Sequence, residues 1–326
     1  MSTMTERGHI REVGPRDGLQ LIAKMLTSEQ KLEWCRRARD AGIEEVEVTS
    51  FVPPSVVPQF ADASDVARGA IALGGFVASA LVPNLKGAQR AIEAGLRKVN
   101  YVLSASEAHN QANVRRSTQQ SLDNFKDIID YRNGLAKHAA GRVQIAGGIA
   151  TSFGCTISGP VDEIRVLQIA ADYLEMGADE LIVADTVGYG NPGQVRRLMS
   201  AVIREAGAVP VACHFHDTFG LGLANVTAAI DAGVRAFDSA VGGLGGCPFA
   251  PGASGNINTE DTVYLVESLG FETGIDIAAL LDLRRVIEGW LPGERFTGSV
   301  ARAGLPKTFI PVLGDDGRQR IRMTTT

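Results

Sequence analysis

Four times along the chain a helix-like segment ends on an acidic residue followed two positions later by glycine, and an apolar residue stands four positions beyond the glycine. Asp40-Ala41-Gly42 leads to Val46, Glu93-Ala94-Gly95 to Val99, Glu175-Met176-Gly177 to Leu181, and Asp231-Ala232-Gly233 to Phe237. Glycine just past a helix supplies the left-handed cap that stops it, and the apolar residues beyond start a strand. Ser28 reads as the cap of a helix over Glu29 to Ala41. The strands led into at Val46 and Phe237 read as Glu44 to Ser50 and Ala236 to Val241, and further candidates are Ile10 to Val13, Phe76 to Leu81, Val143 to Ala150 and a run from Val209. About eight strands alternating with helices over ~250 residues predict an α/β fold, a (β/α)8 TIM barrel. A doubly wound sheet fits less well, because no G-x-G-x-x-G follows the first strand. The barrel is expected over residues 8–270, with a C-terminal helical extension and tail over residues 271–326. Glu260 to Leu269 and Ile277 to Trp290 read as amphipathic helices, and the weakly periodic tail from Arg295 is placed outside the barrel.

A barrel gathers its chemistry at the C-terminal ends of its strands. The polar residues expected there are Arg16 and Asp17 after the first strand, Glu47 on the second, Asp185 on the sixth, and His214 and His216 on the seventh. In a strand, side chains two apart share a face, so His214 and His216 point the same way and Phe215 points away. Two imidazoles on one face can hold a divalent metal, and a buried hydrogen-bonded pair is the other reading. With Asp17, and with Asn256 as a further oxygen donor, the set suits Mg2+ or Mn2+. Asp17 read alone is a turn residue. Arg16 is placed to stabilise an oxyanion, or to pair with Glu47 or Asp17, or both. Glu47 and Asp185 need partners if buried, and Asp217 could steady a histidine or simply close a turn. The glycine-rich run from Gly242 lacks the Lys-Ser/Thr of a P-loop and reads as a lid carrying Cys247, a thiol suited to donating a proton. Cys35, Cys155 and Cys213 read as small buried hydrophobes.

The totals narrow the partners. The chain has 326 residues, 45% hydrophobic and 21% charged, with a formal net charge of −5. That composition suits a globular protein and argues against a nucleic-acid surface. Four cysteines without a C-x-x-C pair point to a reducing compartment. Met1 to Gly8 is too short for a signal peptide, and no apolar run approaches ~18 residues, so a cytoplasmic protein without membrane contact is expected. The sequence leaves oligomeric state open, a homo-oligomer included.

Several stretches together resemble the 3-hydroxy-3-methylglutaryl-CoA lyase family. They are Glu12-Val13-Gly14-Pro15-Arg16-Asp17-Gly18-Leu19-Gln20, Thr49-Ser50-Phe51, Pro83-Asn84-Leu85-Lys86-Gly87, His214-Phe215-His216-Asp217-Thr218 and Gly243-Leu244-Gly245-Gly246-Cys247-Pro248. The resemblance runs in order from about Ile10 to Gly270. It implies a divalent-metal carbon–carbon lyase acting on an acyl-CoA thioester, with retro-Claisen cleavage to acetyl-CoA and acetoacetate. At matching positions it implies Asp17, His214, His216 and Asn256 as ligands to Mg2+ or Mn2+, and His214 or Asp185 as base. Arg16 would stabilise the enolate, Cys247 would protonate it, and Glu47 and Glu260 would support the site from behind. Gln20, Asn113 and Ser117 would lie along the substrate and its CoA arm.

Two departures fall just past strand tips. Leu21-Ile22 stands where the family commonly has Asn-Glu, and Thr156-Ile157-Ser158-Gly159 where it commonly has Pro, an aromatic and Glu-Gly. A related 3-hydroxyacyl-CoA such as citramalyl-CoA is therefore an alternative substrate. An acetyl-CoA-condensing synthase shares the Arg-Asp-Gly turn and H-x-H, but commonly has Glu in place of Leu19 and lacks the cysteine loop. A catalytically silent barrel is disfavoured by the full set of chemical groups.

Overall fold

Eight parallel strands close on themselves in sequence order, and the last pairs with the first. They are β1 (His9–Glu12), β2 (Glu45–Ser50), β3 (Val77–Val82), β4 (Lys98–Ser104), β5 (Gln144–Ala150), β6 (Glu180–Asp185), β7 (Val211–Phe215) and β8 (Ala236–Ser239). The chain was described from a computed structural model over residues 6–135, 142–246, 255–313 and 319–323. Around the barrel run α1 (Ser28–Asp40), α2 (Ala63–Leu73), α3 (Leu85–Glu93), α4 (Glu107–Val114), α5 (Thr118–Leu135), α6 (Glu163–Met176), α7 (Pro192–Ala206), α8 (Gly222–Asp231) and α9 (Thr259–Ser268). The TIM barrel expected from the helix–glycine–strand repeat is the fold observed.

Local chemistry sets the element ends. Thr27, not Ser28, caps α1: its side chain accepts from the Gln30 N–H, and Gln30 reaches back to the Thr27 N–H. Ser28 is the first helical residue and donates to Asp62 at 2.7 Å. The two hydroxyl residues are adjacent, and the glutamine three positions on decides between them by completing the reciprocal box with Thr27. Gly42, Gly95, Gly177 and Gly233 all take positive φ, as the repeat requires. The tail holds α10 (Ile277–Trp290) and α11 (Ser299–Ala303), but it is not only helical. The strands β9 (Phe309–Leu313) and β10 (Gln319–Met323) pair antiparallel beyond them.

The apolar core lies between strands and helices, where Trp34, Phe125, Tyr173, Phe215 and Phe237 are fully buried. Each such side chain contributes roughly 1.5–3 kcal/mol by leaving water. Inside the barrel the filling differs. A small cluster of Ala146, Ile182 and Ala212 is joined there by charged and amide side chains from β1, β2, β4, β6 and β8. Among the described residues no helix is long and apolar enough to cross a membrane.

Candidate metal centre and active site

The turn after β1 presents the first two site residues. Gly14–Gly18 forms a single π-turn in which the N–H groups of Asp17 and Gly18 both reach back to the Val13 carbonyl. Such wide turns recur at functional sites. Gly14 permits it by close approach, since a Cβ there would stand 2.3 Å from both Glu12 and Trp34. The turn leaves Arg16 and Asp17 buried at the mouth.

On β7, His214 and His216 face inward as the two-residue period demands, while Phe215 is fully buried in the outer layer. Their Nε2 atoms are 3.2 Å apart, and Asp17 Oδ2 lies 3.6 Å from that of His216 and 4.0 Å from that of His214. One ligand atom from each of Asp17, His214 and His216 falls within 4.8 Å of the others. Ligands at ~2.1 Å on adjacent corners of an octahedron would be about 3 Å apart, so the triangle needs little contraction to hold one cation. Asn256 bridges to His216 through its backbone, and its Nδ2 donates to Asp17 Oδ2 at 2.7 Å. Its Oδ1 is buried without a hydrogen-bond partner. An amide with an unpartnered buried carbonyl, in contact with a carboxylate that faces two imidazoles, fits a set of donors for a divalent cation.

Charge leads to the same result. An unbroken chain of contacts links Lys98 to Glu45 and Glu180, Glu180 to Arg11, Arg11 to Asp238, Asp238 to His214, His214 to Asp17, Asp17 to Arg16, and Arg16 to Glu47. Its cations are Lys98, Arg11 and Arg16, and its carboxylates are Glu45, Glu180, Asp238, Asp17 and Glu47. With every carboxylate ionised and both histidines neutral, the chain carries two more negative than positive charges, a balance that one divalent cation would meet. Burial opposes ionisation of Asp17, but Arg16 and the two histidines outweigh it and hold the carboxyl far below its ordinary range.

Arg16 donates to Asp17 Oδ1 at 2.5 Å and pairs with Glu47, which also accepts from Asn100 at 2.9 Å. Both readings of Arg16 therefore remain compatible, as paired cations can still present an edge to a ligand. Glu47 sits within β2, not at its tip, and a register irregularity follows it. Asp185 does end β6, yet its two oxygens accept from the N–H groups of Tyr189 and Gly190, each at 2.9 Å. Burial raises its carboxyl to about 6 against those hydrogen bonds. Asp217 closes its own turn through the Gly222 N–H at 2.8 Å and supports no histidine.

Glu260 pairs with Arg284 at 3.4 Å. It accepts from the Gly242 N–H at 3.1 Å at the foot of the glycine-rich run, and burial raises it to about 7. Gln20 is half-buried beside the π-turn. Asn113 is exposed at the end of α4, and Ser117 is half-buried before α5, where its hydroxyl accepts from the Gln120 N–H at 3.0 Å. Cys247 lies outside the described residues, whereas Cys35, Cys155 and Cys213 are buried free thiols.

Two site residues escape a reading by motif. Asp238 accepts from or pairs with His214 Nδ1 at 3.1 Å, and Arg11 donates to Asp238 at 2.6 Å. Their signal in the sequence is faint: a charge at an inward position of a short barrel strand, which needs a buried partner.

The HMGL-like family model matches residues 7–287. This chain belongs to the HMGL-like family. It is 39% identical over 279 residues to a hydroxymethylglutaryl-CoA lyase of Bacillus subtilis, covering 86% of this chain and 91% of that protein. It is 40% identical over 271 residues to a 3-hydroxy-3-isohexenylglutaryl-CoA/hydroxymethylglutaryl-CoA lyase of Pseudomonas aeruginosa, covering 83% and 88%. Among solved structures, an HMG-CoA lyase from Acinetobacter baumannii in complex with coenzyme A and 3-methylmalate superposes with a TM-score of 0.88. That match has 39% identity and covers 96% of this chain and all of that one. Membership makes this HMGL-like chain a carbon–carbon lyase acting on a hydroxyacyl-CoA, in a divalent-metal-dependent family.

Proposed function

We propose that the protein cleaves 3-hydroxy-3-methylglutaryl-CoA to acetyl-CoA and acetoacetate, with Mg2+ or Mn2+ held by Asp17, His214, His216 and Asn256. The observation that carries this reading is the convergence of that donor set with Arg16 at one barrel mouth. A bound divalent cation would act as a Lewis acid on the substrate's oxygens and fix their position.

The residues of the chain then divide the work. Loss of the C3 hydroxyl proton lets the C2–C3 bond break, giving the ketone of acetoacetate and a thioester enolate. Asp185 is the better base, because it ends β6 at the mouth and burial raises its carboxyl to about 6, closer to neutral pH than an ordinary carboxylate. His214 has Nδ1 against Asp238 and Nε2 in the ligand triangle, so neither nitrogen is spare. Arg16 is the buried cation nearest the ligand set and stabilises the enolate oxygen as charge develops there. Cys247 keeps the role that the family resemblance implies, delivering the proton that turns the enolate into acetyl-CoA.

A second reading concerns the acyl group. Leu21 and Ile157, both in the segments that depart from the family pattern, are 46% and 47% exposed. An apolar rim favours a longer or differently branched 3-hydroxyacyl-CoA, and the Pseudomonas relative is named for such a substrate. The test is a panel of 3-hydroxyacyl-CoA thioesters, including the methylglutaryl, isohexenylglutaryl and citramalyl members, followed by acetyl-CoA release. The highest kcat/KM is expected for a 3-hydroxy-3-alkylglutaryl-CoA. No turnover of any member, with metal present and thiols reduced, would overturn the lyase reading.

A further inference from the structure

The buried ion chain inside the barrel is costly, and its layout suggests why it persists. Arg11, Asp238 and His214 are Cα partners in register across β1, β8 and β7. They therefore form one row of the barrel wall, with inward side chains side by side. Asp238 Oδ1 accepts from Arg11 Nε at 2.6 Å, which leaves Oδ2 facing His214 Nδ1 at 3.1 Å. Arg11 is itself fixed by Glu180, and Glu180 lies 2.5 Å from Lys98 at the barrel floor. Asp238, Arg11 and Glu180 are all nine-tenths buried or more, so no water competes for these bonds.

We infer that Asp238, clamped by Arg11, is the positioning residue that keeps the proton of His214 on Nδ1 and so turns the Nε2 lone pair into the ligand triangle. This rests on the metal reading above. An imidazole has one proton to place when neutral, and an acceptor fixed at Nδ1 decides where it goes. Removing the chain from water gains little net stability, since buried ion pairs roughly break even with apolar packing. Its return is orientation. His216 shows the contrast, since its Nδ1 is buried with no hydrogen-bond partner and its ring is steered only from the Nε2 side.

The critical substitution is Asp238→Asn. Arg11 would keep hold of the amide oxygen, so the amide nitrogen would face His214 and donate to it. The ring would then have to accept at Nδ1 and carry its proton on Nε2, closing the ligand lone pair. Mn2+ affinity of the purified protein, measured by calorimetry, should fall ~10–100-fold in this variant. An unchanged affinity would overturn the inference. If the parent protein itself binds no Mn2+, the metal reading fails instead, and the two failures are separable. A second measurement needs no folded variant at this position. With five histidines in the chain, nitrogen-15 spectra of the metal-free parent protein can be assigned, His214 by comparison with His214→Gln. At a pH where the ring is neutral, a proton on His214 Nδ1 with Nε2 bare is expected, and a neutral ring protonated on Nε2 would overturn the proposal whatever the affinities.

Discussion

Arg16 is held between two carboxylates, and that is what makes its contribution measurable. Asp17 and Glu47 keep its guanidinium cationic despite burial, and they fix its plane at the mouth. Arg16→Gln should lower kcat by about 10²–10³, the loss expected for one donor to a developing oxyanion. Because the substitution removes a cation beside Asp17, Mn2+ affinity should hold or rise, and calorimetry would reveal a structural role if it fell instead. Glu12 tests another kind of burial. It is buried beneath the turn, where it accepts from the Gly14 and Val241 N–H groups and from Thr259, and burial lifts it from an ordinary 4.5 to about 8. The folded protein thus keeps a proton that the unfolded chain has released. Stability from this group is full below about 4.5 and is lost as pH rises through about 8. Melting temperature should therefore fall over that window, and Glu12→Gln should flatten the slope. An equally steep fall in the variant would place the pH dependence elsewhere. Residues also show where reading the sequence stops. Asp17, His214 and His216 could be picked out because a strand tip and a two-residue period are local properties. Asp238 could not, because its partner is chosen by the register between β7 and β8, a tertiary fact. Asp217, adjacent in sequence to His216, takes the other of its two readings and closes a turn.

Among the elements, the wide π-turn and the start of the glycine-rich run do the most to shape the mouth. Gly245 takes φ +124°, and a Cβ there would come 2.6 Å from Asn256 Nδ2 and 3.2 Å from Asp17 Oδ2. Gly245→Ala should cost ~1–3 kcal/mol of stability, as overpacking does. It should also weaken Mn2+ binding, because the strain falls on two proposed ligands. A denaturant midpoint with and without metal separates the two effects: a loss equal in both states would mean that the glycine matters only for the backbone. At the start of α1, Thr27→Ala should cost about 1 kcal/mol through the lost cap, with turnover untouched. Element ends were the part of the fold least visible beforehand. The helix–glycine–strand repeat marked four of the eight strands, β2, β4, β6 and β8, and the others were legible as separate apolar runs between them. The choice of Thr27 over Ser28, the position of Glu47 inside β2 and the β9–β10 hairpin depend on side-chain bonds and pairings that composition does not carry.

Taken whole, the molecule keeps two kinds of interior. Between strands and helices it is apolar, and inside the barrel it is ionic, ending at the mouth with two negative charges unanswered. Loading with Mn2+ or Mg2+ should therefore raise the melting temperature, and a chelator should reverse the gain. At a free concentration ~100 times Kd the stabilisation is about 2.7 kcal/mol for a single site. A thermal scan unmoved by either cation would speak against the ligand assignment.

The row that joins Arg11, Asp238 and His214 crosses the place where the first strand meets the last. During folding, Arg11 can find Asp238 only after β8 has docked against β1, some 225 residues later in the chain by the loop-closure view of non-local contacts. Fragments lacking either end would leave these charges facing water or unpaired in a half-built lumen. Metal capture is thus a report on ring closure: a chain whose seam has not been sewn has no steadied histidine to offer, and a truncated barrel would be deaf to the ion.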